Sequence, residues 1–394
     1  MQPMRVPSAR RRARTLLYSS RHYEQVVWRC GQTEFEDVIC HVDDVDMVAP
    51  KPLDRTFVRG RALEKIQGVA RRKLGVEFEL APQLEPVRLA HDYELFCVYL
   101  QGLGDLAALD AIPDWRKRCA KAVCVIEELW VNDLSGWGQQ TLKRLAEFDQ
   151  ITCGHHGTVE PLQKLVGRTC RWLPGAVDAL RFFPGHTPPP RHIDVFSMGR
   201  RSERSHRALF EHACKHGWMY LFDTLEPRRV RDGDLVQHRV QLAELVKRTR
   251  YFVANKGRVD AAERTHAQEE LGFRSFEGAA GGAVLLGQFP KSDAARSLFD
   301  WPDAHIEVPY NSTDMPAVID ALERSPERVA RIRRDNVVNT LRRHDWAYRW
   351  HGLLSALDMA PAEALLHREH LLHELAERAE LAGTHEAEGR TAYQ

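Results

Sequence analysis

Seven residues separate Glu269 from Glu277, and the second is followed at once by Gly278, Ala279, Ala280, Gly281, Gly282 and the apolar run Ala283-Val284-Leu285-Leu286. The order reads as acidic loop, helix start, small-residue helix and apolar strand. Gly272 can take a backbone conformation closed to other residues, and the small residues leave little side chain between helix and sheet, so a ligand can come close to the backbone. A helix beginning near Arg274, just after Gly272 and Phe273, presents unpaired N–H groups and the positive end of its dipole, which suits a phosphate. Glu277, expected in the first turn, can accept hydrogen bonds from vicinal hydroxyls such as those of a ribose. A phosphate cradle beside a hydroxyl-reading carboxylate describes a nucleotide-sugar site. The same residues equally describe a helix packed tightly on a strand, with Glu277 complementing the dipole.

A second anion-binding pattern lies upstream. The strand pattern Ile193–Met198 runs into Gly199-Arg200-Arg201-Ser202-Glu203-Arg204 and an amphipathic helix, so Gly199, Arg200 and Arg204 fall where an anion could settle, or where a basic turn simply meets solvent. Lys256 ends the strand Tyr251–Ala254 and is expected on the ligand side. In the first half, the strand ending at Ile126 delivers Glu127, Glu128 and Trp130, where a carboxylate beside an aromatic plane suits a carbohydrate ring or faces solvent. The strand over Phe148–Gly154 delivers His155 and His156, which point different ways and so share no metal. The first strand, Thr15–Ser19, delivers His22, an acceptor-side residue and a base if attack came with inversion.

Glu269, Glu277 and the glycine-rich run resemble the E-x7-E signature of retaining GT-B glycosyltransferases of group 1. Gly272 falls where that family has its second loop glycine, and Glu270 stands where the family usually has a glycine. The stretch from Arg171 through Pro174, Gly175, Val177, Asp178 and Phe183 to Pro184 is similar to the one that closes the family's first domain. The Gly199-Arg200 turn looks like the opening of its donor domain, and His344–Leu357 resembles its last, crossing helix. The resemblance implies a transferase moving a sugar from a nucleoside diphosphate to an acceptor, which could be a glycan, lipid, protein or small molecule. It implies that Arg200 and Arg204 hold the diphosphate, Glu277 the ribose and Glu269 the hydroxyls of the transferred sugar, in the catalytic position. Gly199, Lys256, Gly272, Phe273 and Arg274 complete the donor side, and Glu127, Trp130 and His155 the acceptor side. No metal and no cofactor beyond the nucleotide sugar is implied.

Such residues must be positioned by two domains. The 394 residues with 43% hydrophobic content can fill two cores. Strands and helices alternate on either side of the stiff linker Gly185–Pro190, which argues α/β architecture with two doubly wound, Rossmann-like domains facing a cleft. The expected division is 1–185 for the acceptor-side domain, 186–343 for the donor domain, and 344–394 for a crossing helix and a charged helical tail. A net charge of +1 gives no global pull towards nucleic acid or membrane. The 8 cysteines show no paired spacing, so a reducing, cytoplasmic setting fits best. The arginines of Met1–Arg14 precede no apolar run of signal-peptide length, and no run anywhere reaches transmembrane length. Asp54–Leu74 is basic and helical in pattern.

Overall fold

The computed structural model describes residues 12–24, 26–53, 83–223 and 234–391, so Asp54–Leu74 and most of the basic start lie outside the described residues. Short runs that are apolar on both faces become parallel strands, because a sheet covered on both sides needs no polar alternation. Strands β1 (Thr15–Tyr18), β2 (Val45–Val48), β3 (Tyr93–Leu100), β4 (Cys119–Ile126), β5 (Gln150–Cys153) and β6 (Cys170–Trp172) form one sheet, in the order β2-β1-β3-β4-β5-β6. Strands β7 (Ile193–Ser197), β8 (Tyr220–Phe222), β9 (Thr249–Val253), β10 (Val284–Gly287) and β11 (Ile306–Glu307) form the other, in the order β11-β10-β9-β7-β8. Every pairing between these strands is parallel. The expected α/β class with two doubly wound domains is therefore the observed one.

The chain crosses between the domains twice, and the crossings touch. Val177 N–H donates to the His344 carbonyl at 3.0 Å, and Trp346 N–H donates to the Val177 carbonyl at 3.2 Å. Asp345, fully buried, caps the helix Trp346–Ala356 through Ala347 N–H and also accepts from Ala179 N–H, both at 2.8 Å. That helix returns to the first domain, where Trp346 and Trp350 pack with Leu17, Phe35 and Leu95. The Trp346 and Phe35 rings stack at 4.7 Å. Each large apolar side chain buried this way contributes roughly 1.5–3 kcal/mol. The last helix, Glu363–Thr391, sends Leu365 into this cluster and Leu372 and Ala376 into the second-domain core. Its Arg368 binds Asp178 at 2.7 Å and Asp345 at 2.8 Å, one acid on each crossing.

Candidate active site

The carboxyl ends of the two sheets face each other, and between them lies a cavity of about 140 Å³. The first domain lines it with Tyr99 from β3, Glu127, Glu128 and Trp130 after β4, and Gly154 and His155 after β5. The second domain supplies Arg200 after β7, Gly257 and Arg258 after β9, and Gly272, Phe273 and Phe276 at the start of the helix Phe273–Ala280. Open parallel sheets bind ligands at this end, because the loops there are free to vary and helix N-termini point inward.

Glu127 differs from the other acids of the site. Gln101 Nε2 donates to its Oε1 at 3.2 Å, but Oε2 is buried with no partner at hydrogen-bond geometry. Burial, and after it the neighbouring Glu128, push its carboxyl up to about 7; the Gln101 amide and the nearby Tyr99 hydroxyl hold it back only in part. Glu128 has its charge satisfied: Trp130 Nε1 and Arg258 Nε each donate to its Oε1 at 2.9 Å. Trp130 is buried, with the Arg258 guanidinium 4.8 Å from its ring and the His155 ring 4.5 Å away. His155 Nδ1 sits 3.2 Å from the Leu129 carbonyl, and burial lowers its pKa. The loop can pass so close because residue 154 is glycine; a Cβ there would collide with the Glu127 carbonyl.

On the second domain, Glu277 does not point into the cavity. One carboxylate oxygen pairs with Arg239 and the other with Arg274, at 2.5 Å for the latter. Burial alone would raise its carboxyl, and Arg274 and Arg239 outweigh that and hold it down to about 2. Arg239 in turn grips Glu34 of the first domain through two bonds of 2.9 Å, and lies 5.0 Å from the Phe182 ring. Glu34 also accepts from Asp178 N–H and the Trp346 indole, so one buried network ties Glu277 to both domains. Glu269 pairs with Lys256 and accepts from Lys291 N–H at 2.6 Å; burial works against its charge and these partners prevail, so its pKa is lowered.

The loop between Arg258 and Glu270 clasps the first domain. Glu270 accepts from His156 N–H at 3.1 Å and Gly157 N–H at 2.9 Å, capping the helix His156–Val166 from the opposite domain. Gln268 donates to Thr158 at 2.9 Å and accepts from Val131 N–H at 3.0 Å, and Asn132 donates to the Arg264 carbonyl at 2.9 Å. Arg258, His266 and Ala267 all have positive φ without being glycine, a strain that persists only where surrounding contacts fix it.

The cavity thus gathers Arg200, Gly272, Phe273, Glu127, Trp130 and His155 from the expected set. It leaves others elsewhere. Arg204 is exposed and lines a separate groove with Glu203, Arg207 and Asn311, so it does not stand beside Arg200. Gly199, at φ +89°, is tied by its N–H to Asp223 at 3.1 Å, and Arg200 reaches Asp260 at 3.4 Å. His22 Nδ1 lies 2.8 Å from the Ala49 carbonyl and does not line the cavity. Two local expectations are corrected. The helix begins at Phe273, so Glu277 falls in its second turn and no acid occupies the first. Gly272 is extended at φ −91°; its glycine is required by the Asn255 carbonyl, 3.0 Å from where a Cβ would sit. Sequence reasoning missed Glu34 and Arg239, charged residues buried within helices; Arg258, at the expected ligand-side end of the strand Tyr251–Ala254, does line the cavity, and only its partner Glu128, 130 residues away, was not legible.

Two parallel α/β domains meeting across a cavity at their strands' carboxyl ends define the GT-B class of fold. Residues 189–355, covering the second domain and the crossing helix, match the family model described as glycosyl transferase-like. No curated protein sequence matches the chain. Similar solved structures include TarM, at 10% identity and TM-score 0.39, with 66% of this chain and 54% of that one covered. A variant of S. aureus TarM in complex with fondaparinux, alpha-GlcNAc-glycerol and UDP is 11% identical at TM-score 0.40, covering 66% and 55%. The glycotransferase of kitacinnamycin is 11% identical at TM-score 0.36, covering 87% and 97%. The chain spans little more than half the length of the first two.

Proposed function

We propose that this chain is a glycosyltransferase that moves a sugar from a nucleoside diphosphate to a hydroxyl-bearing acceptor, with retention at the anomeric carbon. The observation that carries the reading is the interdomain cavity, where a cationic wall faces a carboxylate wall. Arg200 and the N-terminus of the helix Phe273–Ala280 supply fixed positive potential for a departing diphosphate, which stabilises developing charge without reorganisation. Glu127 and His155 face them with groups able to bind hydroxyls.

The E-x7-E likeness supports retention and the donor roles of Glu269 and Glu277. Glu277 meets a ribose by releasing Arg274, its more exposed partner at 28% against 4% for Arg239. Glu269 meets the transferred sugar by exchanging Lys256 for sugar hydroxyls, and Arg204 joins Arg200 once its side chain swings from the neighbouring groove. The test is a panel of nucleotide sugars in thermal-shift titrations, since a ligand that binds only the folded state raises apparent stability with concentration. NMR of the product's anomeric proton then reads the stereochemistry. A panel that leaves the melting temperature unmoved at millimolar ligand rejects the reading.

A further inference from the structure

We infer that Glu127 is the proton acceptor of the transfer, taking the hydrogen of the attacking hydroxyl on its Oε2. The inference rests on the glycosyl-transfer reading, holds for attack on either face, and replaces His22 in that role.

Glu128 is committed to Trp130 and Arg258, Glu269 to Lys256 and Lys291 N–H, Glu270 to two helix amides, and Glu277 to two arginines. Among the described carboxylates of the site, Glu127 alone keeps a buried oxygen that meets no donor at hydrogen-bond distance and angle, with the Tyr99 hydroxyl as its neighbour. Gln101, which holds the other oxygen, leaves its own Oε1 buried without a donor as well. These two orphaned acceptors call for hydrogen donors, because a buried acceptor left unmet is destabilising. A sugar or polyol supplies such donors in adjacent hydroxyls.

The surroundings also suit proton transfer. Gln101 bonds the carboxyl and the Tyr99 hydroxyl from β3 lies beside it, Glu128 repels its charge and Arg29 favours it; His155 stands on the same wall, with Arg258 and Arg200 across the cavity. These leave Glu127 near neutrality, where a base combines availability with driving force. The buried His155 imidazole, with its lowered pKa, takes up a proton less readily. In the step, the hydroxyl O–H bond breaks and its proton goes to Glu127 Oε2. The oxygen's electron pair forms the bond to the anomeric carbon, and the bond from that carbon to the phosphate oxygen breaks, its pair leaving on the diphosphate.

The full chain is tested with UDP-glucose, UDP-N-acetylglucosamine and GDP-mannose, water serving as the acceptor. Wild-type cleavage of the bound donor should rise through a single ionisation near pH 7. Glu127→Gln should lower kcat on the order of 100-fold or more and lose that limb, with KM for the donor and nucleoside diphosphate affinity unchanged. Added formate should restore cleavage to Glu127→Ala. A Glu127→Gln enzyme with the wild-type rate and limb, a defect confined to donor affinity, or loss of the limb in His155→Asn instead, overturns the assignment. Wild-type protein that binds none of the three donors overturns the transferase reading itself.

Discussion

Glu127 and Glu277 bend stability in opposite directions with pH. Glu277 is depressed from 4.5 to about 2, so its contribution is present above pH 4.5 and is lost as pH falls from there towards 2. At 1.36 kcal/mol per unit this is about 3 kcal/mol. Urea unfolding between pH 5 and pH 3 should show about 2 kcal/mol of that loss, and Glu277→Gln should flatten it. Glu127 is raised from 4.5 to about 7, so its contribution is present below pH 4.5 and is lost as pH rises through 7. Glu127→Gln should therefore be more stable than wild type at pH 8 and gain nothing at pH 4; equal stability at both would mean that the carboxyl is not buried as described. Arg239→Met strands Glu34 and Glu277 without their shared cation. Breaking a buried pair from one side typically costs about 3–5 kcal/mol, which the urea midpoint would report.

Among the elements, the Arg258–Glu270 loop carries the interdomain contact in least sequence. Glu270 caps a helix it does not belong to, and Glu270→Ala should cost about 0.5–2 kcal/mol, the range for losing a cap. Hydrogen exchange should speed up at His156 and Gly157 while the β4 amides stay protected; unchanged exchange at the two caps would show that the bond adds nothing in solution. This loop also shows where sequence reading stops. The apolar runs of β1, β3, β4, β7 and β9 announced themselves, since buried parallel strands are apolar over most of their length, with Glu94, Lys121, Asp194 and Arg250 as single interruptions near the strand starts. The strand β2 did not, because Val-Asp-Met-Val at the sheet edge is half-buried and short. The Gly-Arg turn and the Glu269/Glu277 spacing were legible as local patterns. Partnerships were not: Glu34 and Arg239 stand 205 residues apart, and nothing in either neighbourhood marks the other. Glu270 was visible only as a departure from glycine, and its work became plain when His156 and Gly157 were seen opposite it.

For the whole molecule, the cavity is small for a nucleotide sugar, since pockets for such ligands run about 300–1,000 Å³. The closed arrangement must therefore open to admit the donor, by hinging about the paired crossings at Val177 and Asp345. Solution scattering should find a larger radius of gyration for Glu270→Ala with Arg258→Ala than for wild type, shrinking when nucleoside diphosphate is added. Cross-linking position 132 to position 264, which face each other across the clasp, should slow donor association at least tenfold; full-speed binding in the cross-linked protein would rule out opening at this cleft.

The late return of the chain also shapes its birth on the ribosome. The first domain's apolar face around Leu17, Phe35 and Leu95 is covered by Trp346, Trp350 and Leu365, which are synthesised only after the whole second sheet. At roughly 5–20 residues per second, that face waits on the order of ten seconds or more for its cover. During that interval the nascent chain presents a greasy surface that the finished protein never shows. Its yield in cells should thus depend on chaperone capacity more steeply than its final stability suggests, and a stalled or prematurely ended message would release a sticky fragment in place of a half-working enzyme.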